Sequence, residues 1–390
     1  MLALLDLRND ALARIPEEIR SLVVIENRWR RMFPRPLREV AYRAAAVADV
    51  LSVRAHRMRL DMGAKRASQQ FFSQLALAVM GAYDTNDYYS YDGLTMNVRT
   101  FLDKDHVPHA GRWEYRDRWN SPVESRLLRN KVCANAILRA RGLPCTEIVA
   151  VVTSTASYMI EGGHFVALAA AEFASRLHEG EFIVKPALGR WGRGITLISG
   201  APPVWASDMI ARRSFLDGGV AVVERRLENH HTLRDEARRA ASTIRFMTGR
   251  ARSGVICIFG AAVRYAIRAD VIVDNWSFGG AAAPVELQSG EVVPCPRLKD
   301  YAEHFDVSSN PPPARIPFWQ RAKALVIAAH ELFPRMTSIG WDVMITEDGP
   351  MLIEGNDDWD VILPQRLTGR SVLDTPYGDI LRAHQQVATR

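Results

Sequence analysis

The segment 339–356 leaves this chain few alternatives. Ile339-Gly340-Trp341-Asp342-Val343-Met344-Ile345-Thr346 is a strand candidate. Glu347-Asp348-Gly349 reads as a three-residue turn, with glycine where positive φ is needed, and Pro350-Met351-Leu352-Ile353-Glu354-Gly355-Asn356 is the returning strand. That loop length pairs Asp342 with Glu354, and the two-residue repeat of a strand sets Asn356 beside Glu354. Facing carboxylates repel, and a divalent cation would turn that cost into coordination. Hard oxygen donors of this kind suit Mg²⁺ or Mn²⁺. The plainer alternative is an exposed hairpin with scattered acids. The apolar flank of Ile339, Ile345, Leu352 and Ile353 argues against full exposure.

A second feature precedes it. Glu181 to Pro186 reads as a strand closed by Lys185, followed by Gly189-Arg190-Trp191-Gly192-Arg193-Gly194 and the strand 195–198. Glycines let backbone N–H groups approach an anion, and arginines add charge. Neither the Lys-Ser/Thr phosphate loop nor the dinucleotide fingerprint is present. A flap closing over nucleotide phosphates fits, and so does a plain hairpin turn. Lys131, Lys185, Arg245 and Arg268 are further basic candidates, each weak unless it meets the acid hairpin.

The elements between these features suggest α+β layers built from hairpins. Ser121-Pro122-Val123-Glu124 caps a helix expected to run to about Ala140. A helix is expected at 165–178 and another at 318–332. Strands are expected at 148–152, 181–186, 195–198, 220–226, 242–248, 254–259, 262–268, 338–346 and 350–356. Residues 1–80 carry helical apolar spacing, 28–36 reads as a turn, and 81–120 reads as irregular. The division expected is a helical region over 1–110 and a catalytic domain over 111–390.

Composition narrows the setting. The chain has 390 residues, 48% of them hydrophobic, and a net charge of +6. That charge gathers in residues 1–70, where a solvated helix face competes with docking to an anionic surface. No apolar run long enough for a membrane span and no signal-peptide pattern is seen, and the four cysteines form no C-x-x-C pair. A reducing cytoplasm is the expected location.

Taken in order, these pieces resemble the ATP-grasp superfamily, and more narrowly its sugar-transfer-associated branch, akin to α-L-glutamate ligases. The pieces are Asn130-Lys131, Gly142-Leu143-Pro144, Val184-Lys185-Pro186 and Gly189 to Gly194. They continue through Val222-Val223-Glu224, Glu228-Asn229-His230, Ser242 to Arg245, Val273 to Trp276 with Gly279-Gly280, Gly340-Trp341-Asp342 and Ile353 to Asn356.

The resemblance implies an ATP-grasp fold, in which two α+β subdomains clasp ATP, with a mainly helical N-terminal region. It implies that Lys131, Lys185, Gly189, Gly192, Arg193 and Gly194 hold phosphates and that Val223 and Glu224 meet adenine. Asp342, Glu354 and Asn356 would bind Mg²⁺. Arg245 and Arg268 would neutralise acyl-phosphate charge, and Asn275 would line the acceptor side. Asn229 or His230 would reach the ribose or the substrate. Trp191 and the Asp357-Asp358 pair depart from the pattern, the latter adding negative charge beside the metal.

The implied activity is carboxylate–amine ligation through an acyl phosphate, with small-molecule partners. By analogy with the family name, these would be an amino acid and a sugar or surface glycan. An ATP-dependent phosphotransferase on the same scaffold is the alternative. His164, His230, His231 and His304 are candidates for deprotonating the amine, against a structural role for each. No nucleic-acid partner is expected. The basic N-terminal segment would suit docking to membrane-bound glycan machinery, or would cap the catalytic domain.

Overall fold

The computed structural model describes residues 2–22, 35–52, 64–81, 120–176, 180–189, 194–200, 219–234, 241–266, 280–293 and 313–388. The chain groups into two compact units. One comprises Met1–Val24, Trp119–Arg297 and Val307–Trp359, and the other Ile25–Arg118, Leu298–Asp306 and Asp360–Arg390. The boundary expected at residues 110–111 lies outside the described residues, as do the segments 28–34 and 82–119.

The first unit holds two antiparallel sheets. One has the order β3-β2-β1-β6-β4-β5, built from β1 (Ile148–Val152), β2 (Ser157–Glu161), β3 (His164–Leu168), β4 (Gly180–Pro186), β5 (Thr196–Gly200) and β6 (Ala221–Arg225). The other has the order β11-β10-β7-β8-β9, from β7 (Thr243–Arg250), β8 (Ile256–Ala266), β9 (Gly280–Pro284), β10 (Ser338–Thr346) and β11 (Gly349–Asn356). The mixed α+β character read from the sequence is what the chain adopts.

Each strand face has its own cover. Val149, Ala150, Val152, Phe182, Val184, Ala221 and Val223 pack with Phe173 of the helix Ala170–Arg176. On the opposite face, Ile148, Val151 and Val222 meet Val132 and Cys133 of the helix Lys131–Ala140, and Ile15 and Ile19 near the N-terminus. The first residues therefore belong to this core. Arg8 donates to Glu124 at 2.9 Å, and Asn130 Nδ2 donates to the Ile19 carbonyl at 2.7 Å. Part of the basic N-terminal charge is thus spent inside the fold. Phe246 of β7 stacks on Trp319, the first residue of the helix Trp319–Glu331. In the second unit, the helices Arg35–Leu51 and Ala64–Gly81 meet through Ala46, Val50 and Ala78. No helix among the described residues is long and apolar enough to cross a membrane.

Three local expectations need correction. Residues 164–168 form β3 rather than the start of a helix, because Gly162 and Gly163, both at positive φ, close a tight β2–β3 hairpin. The two strands expected at 254–259 and 262–268 are one, Ile256–Ala266. Gly260 does not end it, since a register shift between Met247 and Thr248 absorbs the irregularity. The single helix expected from Pro122 to Ala140 breaks at Asn130, whose extended backbone ends Pro122–Arg129 and whose side chain accepts from Val132 N and Cys133 N.

Behind the second sheet lies a buried histidine. His330 is fully buried, its Nε2 3.0 Å from the Met336 carbonyl and its Nδ1 2.8 Å from Thr248 Oγ1. Thr248 Oγ1 also accepts from Trp341 Nε1 at 3.1 Å. The neutral ring donates from Nε2–H to Met336, and the single Thr248 hydroxyl proton serves either His330 Nδ1 or the Ile339 carbonyl at 3.0 Å. Burial, with Arg250 nearby, pushes the imidazole down to about 3, against the opposing bond to Met336. The folded pKa lies below the unfolded one, so this contribution is complete above about pH 6.5 and is lost as pH falls toward 3. His330→Gln should remove about 2 kcal/mol of the stability change between pH 6.5 and pH 5, measured by urea unfolding at each pH. An unchanged pH slope would mean that His330 titrates normally.

Candidate active site

The register of the β10–β11 hairpin decides what its acids can do. Asp342 pairs with Glu354, and Gly340 with Asn356, as the sequence led one to expect. The route differs. Thr346 pairs directly with Gly349, so the turn holds two residues, Glu347 and Asp348, rather than three. Left uncorrected, that turn would set Asp342 against Ile353. A bulge between the Val343–Leu352 and Asp342–Glu354 pairs leaves Ile353 unpaired and restores the register. Gly340 carries no Cβ because one would lie 2.4 Å from Trp359 Cβ.

Asp342, Arg245 and Arg264 share the sheet face opposite Phe246 and Trp341. Arg245 grips Asp342 with Nε at 2.5 Å from Oδ1 and Nη2 at 3.1 Å from Oδ2. Arg264 Nη2 lies 3.0 Å from Asp342 Oδ1. All three are buried. Burial alone would raise the Asp342 pKa, but the arginines outweigh it and hold the carboxyl at about 2. Arg264 was not legible as a site residue. It sits on the strand that the sequence reading split in two.

Glu354 is the more open acid, with its side chain 31% exposed. Asn356 Nδ2 stands 3.4 Å from both Asp342 Oδ2 and Glu354 Oε1. A half-turn of that amide presents Oδ1 on the same side as the two carboxylates. The donor set is therefore three hard oxygens from adjacent strands, which suits Mg²⁺. The expected contribution of Asp357 does not hold. Its carboxylate is buried and neutralised by Arg129, at 2.8 Å and 2.7 Å.

The cations come from the other sheet and from the helix packed on it. Lys185 on β4 and Glu224 on β6 form a buried pair at 2.8 Å. The break at Asn130 corrects the placement of Lys131, which is the first residue of its helix rather than an interior one. Its Nζ donates to the Gly189 carbonyl at 2.6 Å and lies 3.7 Å from Glu354 Oε2. Burial pushes Lys131 below its usual pKa; Glu354 opposes that and Lys185 adds to it. Lys131 thereby bridges the glycine-loop entrance and the acid hairpin. A small recess lies among Lys131, Thr146, Glu224 and Glu354.

Other expected residues fall elsewhere. The Val223 side chain points into the apolar cluster on the far face of its sheet, and its strand is paired on both sides, with β1 and β4. Gly189 and Gly194 are described, the latter at φ 72, whereas Gly192, Arg193, Trp191, Arg268, Asn275 and His304 lie outside the described residues. Asn229 is held by Ser242, accepting from its N–H and donating to its carbonyl, both at 2.8 Å. His230 and His231 contact Glu347 at the turn end of the hairpin. Five residues at about 3.3 Å each separate Glu347 from Asp342, so these histidines are poorly placed to take an amine proton. His164 is exposed on β3.

Lys185→Gln keeps a polar group beside Glu224 and removes the positive charge. Its Kd for ATP should rise about 10- to 150-fold by calorimetric titration, the worth of a hydrogen bond to a charged group. Unaltered affinity would remove Lys185 from the phosphate role.

Residues 212–376 match the sugar-transfer associated ATP-grasp family. Solved structures are similar at low identity. D-alanine–D-alanine ligase from Bacillus anthracis is 13% identical, with TM-score 0.41, over 69% of this chain and 71% of that one. N5-carboxyaminoimidazole ribonucleotide synthetase from Thermotoga maritima is 12% identical, with TM-score 0.40, over 68% of this chain and 51% of that one. Biotin carboxylase from Campylobacter jejuni, in complex with β-γ-ATP, is 15% identical, with TM-score 0.40, over 67% and 47%. No curated protein matches the chain.

Proposed function

We propose that this chain, which has the ATP-grasp fold and matches the sugar-transfer associated ATP-grasp family over residues 212–376, is an ATP- and Mg²⁺-dependent carboxylate–amine ligase. The observation that carries the reading is the meeting of Lys131, at the head of its helix, and the Lys185–Glu224 pair of one sheet with Glu354 of the other, beside its strand partner Asp342. Cations on one side and hard oxygen donors on the other are what a metal-bound triphosphate needs.

A carboxylate is a poor electrophile. Its oxygen attacks the γ-phosphorus of ATP, the bond to the β-phosphate oxygen breaks, and ADP leaves with the electron pair. The amine nitrogen then attacks the acyl carbon, phosphate departs, and one proton is released. Asp342, Glu354 and Asn356 would hold the divalent ion, which when bound supplies charge neutralisation across the phosphates. Lys185, fixed by Glu224, and Lys131, fixed by Gly189, would position the phosphates. Arg245 and Arg264 are positioning residues, since their guanidinium groups hold Asp342 in place. Arg268 and Asn275 are proposed, from the family resemblance alone, to face the acyl phosphate and the acceptor.

The substrate pair is proposed as an amino acid and a sugar-linked acid or amine, a reading supported by the family description. The test is ADP release across a panel of amino acids and uronic acids, with and without Mg²⁺. Release that requires one acid and one amine together, and Mg²⁺, supports ligation. Release with a hydroxyl acceptor and no acid would instead identify the phosphotransferase alternative.

A further inference from the structure

The turn end of the β10–β11 hairpin gathers a second set of ligand atoms, unlike the first in chemistry. Glu347 Oε1 and Oε2 lie 3.2 Å and 3.3 Å from His231 Nδ1. His230 Nε2 stands 3.5 Å from Glu347 Oε2. One ligand atom from each of the three residues lies within 4.8 Å of the others. A tetrahedral ion with bonds of about 2.0–2.1 Å spaces its donors by about 3.3 Å, close to these separations.

The surroundings hold the donors in place. The His230 backbone N–H donates to the Ile345 carbonyl at 2.7 Å, and the His231 N–H donates to Glu347 Oε1 at 2.7 Å. The Thr232 hydroxyl lies 2.9 Å from His230 Nδ1, and the Thr232 backbone N–H points at the same nitrogen from 3.3 Å; ligation through Nε2 requires that Nδ1 carry the proton and donate it to the hydroxyl. The Phe318 ring packs edge-on against His230 at 5.8 Å, and the His230 side chain is only 13% exposed. The nearby guanidinium of Arg321 lies over the Phe318 ring and donates to the Asp348 carbonyl.

We propose that His230, His231 and Glu347 form a binding site for a Zn²⁺-class ion, with water completing the coordination. Two imidazoles and one carboxylate favour a borderline metal over Mg²⁺. The ion clips the segment after β6 to the tip of the hairpin. β6 carries Glu224 and the hairpin carries Asp342 and Glu354, so the clip braces the two sides of the nucleotide cleft against each other without taking part in chemistry.

Cobalt(II) is the probe. The full-length, tag-free chain, stripped of metal and held in excess Mg²⁺, should develop visible d–d absorption that saturates at one equivalent. His231→Ala and Glu347→Gln, both at exposed side chains, should each weaken that binding at least tenfold. Zn²⁺ should raise the melting temperature of the wild type and not of either variant. Absence of the visible bands, or bands and affinity unchanged in both variants, would overturn the site.

Discussion

Asp342→Ala is expected to lose about 3–5 kcal/mol of stability, because it removes the acid gripped by the buried Arg245. Arg245 and Arg264 are each more than nine-tenths buried, and both lie within 3.0 Å of Asp342. Arg264 retains a bond to Thr243 Oγ1 at 2.7 Å, while Arg245 loses its bidentate partner. Asp342→Asn keeps an acceptor in the same place and should cost less. The urea midpoint reports the loss, provided the slope of the transition is unchanged. The wild type adds a pH signature. The Asp342 pKa is about 2 when folded, below its ordinary 3.8, so its stabilisation is present above pH 3.8 and fades as pH falls through 2. An alanine variant as stable as the wild type would show that the arginines have other partners and that the acid is dispensable to the fold.

Glu354→Gln should do the reverse, leaving stability nearly intact and lowering Mg²⁺-dependent turnover by about 10²-fold or more. Its side chain is about one-third exposed and its closest cation, Lys131 Nζ, stands at 3.7 Å. Little folding energy rests on that contact. Glutamine preserves shape and one oxygen but removes the charge a hard cation needs. Turnover against Mg²⁺ concentration separates the roles: a rate restored at high Mg²⁺ would mark weakened binding of the ion. Unchanged turnover at all concentrations would remove Glu354 from the ion's ligands.

The two variants are expected to differ because Asp342 carries folding energy as well as a place in the donor set, whereas Glu354 carries little, a difference the sequence did not reveal. It made the pairing of Asp342 with Glu354 legible, but through a turn counted one residue too long. The bulge at Ile353 corrected the count, and no local pattern announces a bulge whose cause is the packing of neighbouring strands. Lys185 stood out because it ends a recognisable strand, whereas Lys131 was expected inside a helix and the capping role of Asn130 was not seen. Arg264 did not stand out, because the strand that carries it was expected as two, 254–259 and 262–268, and nothing local shows which of its residues meets Asp342. The pairing of Asp357 with Arg129 joins residues 228 positions apart and was equally invisible. The β2–β3 hairpin turns on Gly162 and Gly163, both at positive φ, a signal in the sequence that the helix expected at 165–178 left out.

The central claim is that the cleft between the two sheets makes an acyl phosphate. Hydroxylamine tests it most directly, because it captures acyl phosphates as hydroxamates. The full chain is incubated with ATP, Mg²⁺ and hydroxylamine across a panel of amino acids and uronic acids. At least one carboxylate should yield hydroxamate in equal amount to ADP, and Glu354→Gln should yield neither. ADP formed alongside a phosphorylated alcohol, with no hydroxamate from any acid, would contradict it.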